Sequence, residues 1–259
     1  MTVLLETIGV SKHYGAFRAL DDVSIEVNEN ELVSVVGPNG AGKTTLVNLL
    51  TGLTKPTKGD VRFKGASVVG AGPVELASHG LARAFQLIQV FPQLTVAETI
   101  AAAVVSRQRK RWRVFASLRG DGAIAARVRE VAEIFGLADR LDTVSATLSQ
   151  GEKKLLDVAS AFALDPEVIL LDEPTSGVST ADKHGIMTTL IRAAKAAGVK
   201  AILLVEHDMD LVAAYSQRIV ALTEGKVLAD LPTDKFFADP QLIATVIGKR
   251  RGQGQGGAH

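Results

Sequence analysis

A glycine-rich segment between an apolar run and a helical pattern constrains this chain most. The apolar run Leu32–Val36 is short and β-branched, as in a buried strand, and apolar spacing turns helical from Lys43 to Leu50. Between them, Gly37–Thr44 reads Gly-Pro-Asn-Gly-Ala-Gly-Lys-Thr and fits Gly-x-x-x-x-Gly-Lys-Ser/Thr. Glycines let successive backbone N–H groups surround phosphate oxygens, and the following helix N-terminus adds partial positive charge. The sequence therefore predicts a loop that binds the phosphates of a nucleotide.

Each part of this loop has an expected contact with ATP. Lys43 is expected to reach the β- and γ-phosphates, and the hydroxyl of Thr44 is expected to ligate Mg²⁺. The alternative is a glycine-rich turn that only ends a strand, but the strand–loop–helix order favours phosphate binding. The remaining predicted ATP-binding residues of this segment are Gly37, Asn39, Gly40, Ala41, Gly42 and Thr45.

Two adjacent carboxylates end a second apolar strand. Val168–Leu171 is followed directly by Asp172 and Glu173. Unpaired buried charge is costly, so two charges beside a buried strand need a function. We expect Asp172 to hold Mg²⁺ and Glu173 to act as general base for the attacking water. The alternative is a strand that simply emerges into solvent, which the nearby phosphate-binding loop makes the weaker interpretation.

Helices and strands alternate in most of the chain, with a helical insertion between. Residues 90–163 are predicted to be mostly helical, with a capping box at Thr95–Glu98 and an amphipathic helix at 122–135. After them, alternation of strands and helices predicts a parallel sheet covered on both faces. The other predicted elements are strands at Val3–Val10, Val23–Val27, Asp60–Lys64 and Ala201–Val205, and helices near Ala181–Ala197 and from Asp208.

Composition excludes several classes of protein. The 259 residues include 29 basic and 28 acidic side chains, a net charge of +1 that argues against a protein built to coat nucleic acid. The absence of cysteine excludes disulfides and thiolate metal sites. Apolar runs are far shorter than the roughly 20 residues needed to span a bilayer, and no secretory signal is expected. Any work at a membrane would therefore require another protein to span it.

Further motifs stand in the order found in ATP-binding-cassette (ABC) ATPases, which the chain resembles over nearly its whole length. Leu148–Glu152 reads Leu-Ser-Gln-Gly-Glu and is similar to the family signature Leu-Ser-Gly-Gly-Gln. Tyr14 is similar to the aromatic residue that stacks on adenine. Gln86 matches the Q-loop glutamine, and His207 matches the switch histidine.

This resemblance implies a fold and a division of the chain. The fold would be α/β: a P-loop NTPase (RecA-like) core with a mostly parallel sheet, an N-terminal antiparallel β-subdomain and a helical subdomain. Residues 1–259 would form a single ABC ATPase domain. Its parts would be a catalytic core with the β-subdomain at 1–89 and 164–231, a helical subdomain at 90–163, C-terminal helices at 232–251 and a disordered tail at 252–259.

The resemblance also implies a head-to-tail dimer, in which each ATP lies between one P-loop and the opposite signature. Ser149 and Gly151 would contact the γ-phosphate bound to the partner, whereas His207 would contact it within its own chain. Gln86 would touch Mg²⁺ and transmit its state to a membrane partner, so Glu173, His207 and Gln86 are the catalytic candidates.

Each of these family motifs has a simpler alternative. Ser149 with Glu152 also forms a common capping box, and a lone His207 is more often structural or solvent-facing than catalytic. Packing alone would explain Tyr14, and a strand-end amide would explain Gln86.

Two positions depart from the family pattern. Gln150 replaces the third signature residue, usually glycine, and a positive φ would be less comfortable there. Ser179 stands where the family's D-loop normally has Asp or Asn. These departures bear on communication between the two sites of a dimer and not on nucleotide binding.

Two segments resemble the cassettes of branched-chain amino-acid uptake systems. They are Ala82–Glu98, which reads Ala-Arg-Ala-Phe-Gln-Leu-Ile-Gln-Val-Phe-Pro-Gln-Leu-Thr-Val-Ala-Glu, and Leu203–Leu211, which reads Leu-Leu-Val-Glu-His-Asp-Met-Asp-Leu. The likeness implies an importer of branched-chain amino acids or a related small solute, with ATP and Mg²⁺ as cofactors. Its partners would be a second cassette, identical or different, two membrane permease subunits and, indirectly, a solute-binding protein, with no nucleic acid. The chain would lie peripherally on the cytoplasmic face of the inner membrane.

Two other functions fit the same motifs less well. A soluble ABC ATPase of DNA repair or translation usually joins two cassettes or carries a long coiled coil. A module that only holds ATP would not need Glu173 and His207. A basic run at 107–113 is most simply a solvated helix end, with anionic lipid or RNA as alternatives.

Overall fold

The N-terminal strands form an antiparallel sheet of their own. The computed structural model describes residues 2–84, 91–107 and 121–247. In this part of the chain, β1 (Val3–Tyr14) pairs with β2 (Phe17–Asn28) and with β4 (Lys58–Phe63), which pairs with β5 (Ala66–Ser67). The hairpin extends further toward its turn than predicted, because polar residues after Val10 continue to pair across the strands as far as the turn at Gly15.

The second sheet brings three strand ends to one edge. Its order is β10-β9-β3-β8-β7-β6, parallel except for the antiparallel pair β9–β10. Parallel strands end on the same side, so the residues that follow β3, β7 and β8 lie together. The strands are β3 (Glu31–Val36), β6 (Leu81–Arg83), β7 (Val168–Asp172), β8 (Ala201–Val205), β9 (Arg218–Thr223) and β10 (Lys226–Pro232).

Helices cover this sheet on both faces, as its continuous apolar strands require. On one face α1 (Lys43–Leu50) packs with the antiparallel sheet, and its bounds agree with the predicted helix. Leu76 of α2 (Pro73–Ser78) belongs to the same core. The other face and its ends carry α6 (Thr180–Ala196), α7 (Met209–Tyr215), α8 (Thr233–Phe237) and α9 (Pro240–Ile247). No helix in the described ranges combines the length and apolar character needed to cross a bilayer.

A helical subdomain lies between β6 and β7. It contains α3 (Val96–Arg107), α4 (Gly122–Ile134) and α5 (Gln150–Phe162), with short 3₁₀ turns at Ala138–Arg140 and Ser145–Thr147. The predicted capping box before α3 is confirmed: Thr95 N donates to Glu98 Oε2 at 2.9 Å, and Glu98 N donates to Thr95 Oγ1 at 3.2 Å. Phe135 and Phe162 meet edge to face with ring centroids 5.2 Å apart, which fixes α4 against α5.

Candidate nucleotide site

The loop after β3 has a backbone that only glycine fits at two points. Gly37 has φ +150°, and a Cβ there would lie 2.2 Å from the carbonyl oxygen of Leu222. Gly42 has φ +104°, and its Cβ would lie 2.7 Å from the carbonyl oxygen of Ala19. The loop is therefore pressed between β9 and β2, and its turn leads directly into the N-terminus of α1. This is the strand–loop–helix geometry expected of a phosphate cradle.

Lys43 is held inside that loop. Its side chain is only 6% exposed, and Nζ donates to the carbonyl oxygens of Gly37 at 2.7 Å and Pro38 at 3.0 Å. Burial lowers the pKa of this ammonium group from its usual value, while the carboxylates of Glu173 and Asp172 act in the opposite direction. A buried cation whose hydrogen bonds go to neutral carbonyls retains attraction for an anion, which fits a phosphate ligand.

A cavity of about 210 Å³ gathers the predicted ATP-binding loop and two catalytic candidates. Glu173 reaches it from the end of β7, and His207 reaches it from the end of β8. Phe17 and Ala19 of β2 supply the apolar part of its wall. The loop residues that line it are Asn39, Gly40, Ala41, Gly42, Lys43, Thr44 and Thr45.

Glu173 and His207 are directly hydrogen-bonded. His207 Nε2 lies 2.6 Å from Glu173 Oε1. The backbone of Glu173 is left-handed, with φ +49°, which is uncommon for a residue with a Cβ and often marks a functional position. The sequence predicted both residues for the site, but neither their contact nor this backbone conformation.

Asp172 has a basic partner that the sequence analysis missed. Arg83, on β6, places Nη2 2.6 Å from Asp172 Oδ2 and Nη1 2.8 Å from Asn48 Oδ1. In the described residues, no three His, Asp or Glu side chains cluster as a metal site would. Nucleotide-bound Mg²⁺ commonly uses one or two protein oxygens together with phosphates and water, so one carboxylate and one hydroxyl are an adequate donor set.

The two aromatic residues beside the turn of the first hairpin occupy different positions. Tyr14 and Phe17 pair across the turn, and both are largely exposed. Phe17 lines the cavity, whereas the ring of Tyr14, the predicted adenine contact, has Lys12 Nζ 5.1 Å from its centroid. The sequence analysis missed Phe17 because no motif marks it; it is simply the residue that follows the hairpin turn after Tyr14. Gln86 lies outside the described residues.

The signature residues lie apart from this cavity. Ser149 caps α5 through a capping box with Glu152, so the simpler explanation of this pair is correct at the level of local structure. Ser149 and Gly151 line a separate shallow depression with Ser179, and that depression shares no lining residue with the nucleotide cavity. Gln150 begins α5 and has no left-handed backbone, so the replacement of glycine there brings no conformational strain.

Comparison with known proteins settles the family. The family described as ABC transporter matches residues 20–176, which is more than half of the chain. The chain belongs to the ABC transporter family. It is an ATP-binding cassette with the P-loop NTPase fold and ATPase activity of that family, and the predicted family and fold class are confirmed.

Individual relatives extend the likeness of this cassette over its length. A "High-affinity branched-chain amino acid transport ATP-binding protein LivG" of Salmonella typhimurium is 31% identical, covering 95% of this chain and 98% of its own. A "Probable branched-chain amino acid transport ATP-binding protein LivG" of Methanocaldococcus jannaschii is 29% identical over the same shares. The crystal structure of an ABC transporter cassette in its ADP conformation superposes with a TM-score of 0.84 at 28% identity, covering 96% of this chain and all of that one. The predicted resemblance to branched-chain amino-acid uptake cassettes is therefore confirmed.

Proposed function

We propose that this cassette hydrolyses ATP to drive import of branched-chain amino acids or a related small solute through separate permease subunits. The observation that carries the proposal is the single cavity that holds the P-loop, Glu173 and His207 together. The printed functions of the relatives with about 30% identity support the choice of solute class. On this proposal the cassette is bound peripherally at the cytoplasmic face of the inner membrane.

The side chains of the cavity suggest a division of tasks during hydrolysis. Lys43 and the loop N–H groups hold the β- and γ-phosphates, and Tyr14 and Phe17 flank the adenine. Glu173 takes the proton of the attacking water, and His207 orients Glu173 and contacts the γ-phosphate. Thr44, Asp172 and Gln86 would hold Mg²⁺, which, when bound, offsets charge on the phosphates. Movement of Arg83 away from Asp172 would free that carboxylate for the ion.

The separation of Ser149 and Gly151 from the nucleotide cavity supports a two-cassette arrangement. A signature that does not reach its own P-loop is available to an ATP bound elsewhere. A second cassette, identical or related, would place its signature over this cavity and receive Ser149 and Gly151 in return. ATP would hold the pair closed, and hydrolysis would release it.

An apolar groove is the proposed permease contact. It has a volume of about 310 Å³ and lies between α2, α3 and α5, where the core meets the helical subdomain. Arg83 lines this groove and also pairs with Asp172, so one side chain spans the distance between the groove and the nucleotide site. The apolar residues of the groove are Pro73, Val74, Ala77, Phe91, Leu94, Ala102, Ala103, Ala161 and Leu164.

Uptake measurements in the source organism test this proposal. We expect deletion of the gene to reduce uptake of labelled leucine, isoleucine and valine. The native gene should restore uptake, whereas Glu173→Gln should bind ATP and form a stable dimer without restoring it. Unchanged uptake of all three after deletion would contradict the proposed solute class. Co-purification of ribosomes or DNA instead of permease subunits would support a soluble ABC ATPase of translation or repair.

A further inference from the structure

A buried carboxylate lies directly behind the proposed catalytic pair. Glu206 follows β8 and precedes His207, and it is only 4% exposed. Carboxylates are rarely this buried unless hydrogen bonds and nearby positive charge compensate them. No role was assigned to Glu206 from the sequence, and it lines none of the cavities described above.

Its two oxygens accept hydrogen bonds from the ends of two different strands. Oε1 accepts from Thr175 Oγ1 at 2.6 Å and, more weakly, from Thr175 N at 3.4 Å. Oε2 accepts from the backbone N of His207 at 3.0 Å. The hydrogen bond from Lys183 to Asp208, at 2.8 Å, raises the pKa of the Lys183 ammonium group, and the negative charge of Glu206 raises it further. One side chain thus ties the turn after β7 to the turn after β8.

The turn after β7 needs such a tie because Glu173 is left-handed. That backbone conformation is unfavourable for a residue with a Cβ and persists only where surrounding contacts impose it. Glu173 N donates to the carbonyl oxygen of Val205 at 2.9 Å, and Ser176 N donates to the carbonyl oxygen of Glu173 at 3.1 Å. Lys154 Nζ also donates to Ser176 Oγ at 2.9 Å. The hydrogen bonds from Thr175 to Glu206 hold the other side of the turn.

We propose that Glu206 is a positioning residue that holds Glu173 and His207 at hydrogen-bonding distance for hydrolysis. The proposal rests on the proposed roles of those two residues. Each hydrogen bond that the described residues make to Glu206 is donated to it, so both carboxylate oxygens act as acceptors. A glutamine of the same shape supplies one acceptor and one NH₂ group. The NH₂ group would oppose the His207 N–H as donor against donor, or it would oppose the Thr175 N–H and force the Thr175 hydroxyl to turn and accept.

The full-length variant Glu206→Gln tests the proposal, with turnover, ATP affinity and the His207 ring signals in NMR of histidine-labelled protein as readouts. We expect turnover to fall about tenfold, since small displacements of catalytic groups are costly, and ATP affinity to remain within about twofold. The His207 signals, assigned by their absence in His207→Ala, should move toward their position in Glu173→Gln. Thr175→Val, which removes one donor only, should give a smaller change in the same direction.

Glu31→Gln is the matched control, because Glu31 is a Glu at the opposite end of the same sheet, where it pairs with Arg218 at 2.6 Å. It should leave turnover and the His207 signals unchanged. Native turnover in Glu206→Gln, or unmoved His207 signals in that variant, would overturn the proposal. If Glu173→Gln is inactive while Glu206→Gln is fully active, only the positioning role fails. If Glu173→Gln is fully active, the proposed role of Glu173 fails as well.

Discussion

Lys43 shows how a single side chain is prepared for its ligand before the ligand binds. Its ammonium group is already removed from water and already directed by the carbonyls of Gly37 and Pro38. Part of the cost of desolvating the charge is therefore met during folding and not during binding. An incoming phosphate gains a charge-assisted hydrogen bond with little reorganisation of the protein.

Lys43→Ala should weaken ATP binding strongly. A hydrogen bond to a charged group contributes about 1.5–3 kcal/mol, so the Kd for ATP should rise about 10- to 100-fold. Equilibrium binding of a fluorescent ATP analogue measures this directly. Lys226→Ala is a suitable control, because Lys226 is exposed, pairs with Asp21 at 3.3 Å and lies outside the cavity. An unaltered Kd in Lys43→Ala would remove the loop from the nucleotide site.

Residues with local signals were predictable, and those with distant partners were not. Lys43, Glu173 and His207 stand in short motifs or directly after apolar strands, so the sequence placed them in one site. Arg83 and Glu206 carry no local signal, because their importance comes from contacts with Asp172 and Thr175 across the sheet. Buried ion pairs and hydrogen bonds of this kind depend on the order of strands in the sheet, which cannot be read from the sequence.

At the scale of the element, the hairpin β1–β2 is a platform beside the P-loop. Tyr14 and Phe17 face each other across its turn, and Ala19 on β2 touches the loop through its carbonyl group. The hairpin therefore carries the aromatic side chains and supports the phosphate cradle at once. Hydropathy alone would end the strand at Val10, but Ser11 and Lys12 remain in it because their side chains find partners: Asp22 N donates to Ser11 Oγ at 3.0 Å, and Lys12 Nζ donates to the carbonyl oxygen of Lys55 at 2.8 Å.

Removal of both aromatic residues should separate recognition of the base from recognition of the phosphates. In Tyr14→Ala/Phe17→Ala we expect ATP affinity to fall about 10-fold or more, because stacking on an aromatic side chain contributes about 1–3 kcal/mol per base. Affinity for inorganic triphosphate should not change. Tyr215→Ala, altering a tyrosine that contacts His184 away from the cavity, is the control. An equal loss of affinity for ATP and for triphosphate would contradict the proposed contact with the base. The single variants Tyr14→Ala and Phe17→Ala would show how much each ring contributes.

At the scale of the whole molecule, two bodies, the core and the helical subdomain, meet at the groove between α2, α3 and α5. The helical subdomain has its own aromatic contact between Phe135 and Phe162, whereas the core is organised by the parallel sheet. A partner seated in the groove touches both bodies and Arg83. Occupation of the groove can therefore influence Asp172 without a change in the sheet itself.

Val74→Asp should disrupt permease binding without harming the isolated ATPase. Val74 lines the groove, is 54% exposed and lies near the N-terminus of α2, where an added carboxylate suits the helix. We expect loss of permease co-purification and of amino-acid uptake, with native ATPase activity in the isolated cassette. Val69→Asp, at a similarly exposed valine outside the groove, should have neither effect. Normal co-purification of Val74→Asp would place the permease elsewhere.

The left-handed backbone at Glu173 creates a conflict between thermal stability and transport activity. Asparagine or glycine adopts that conformation more easily, so either residue would relieve strain at the end of β7. The same exchange would remove the carboxylate that the proposed mechanism requires. A population of variants screened only for survival at high temperature should therefore accumulate inactive cassettes altered at this position. An organism that depends on transport must keep glutamate at this position although it is conformationally less favourable, which is a local instance of the trade-off between stability and activity.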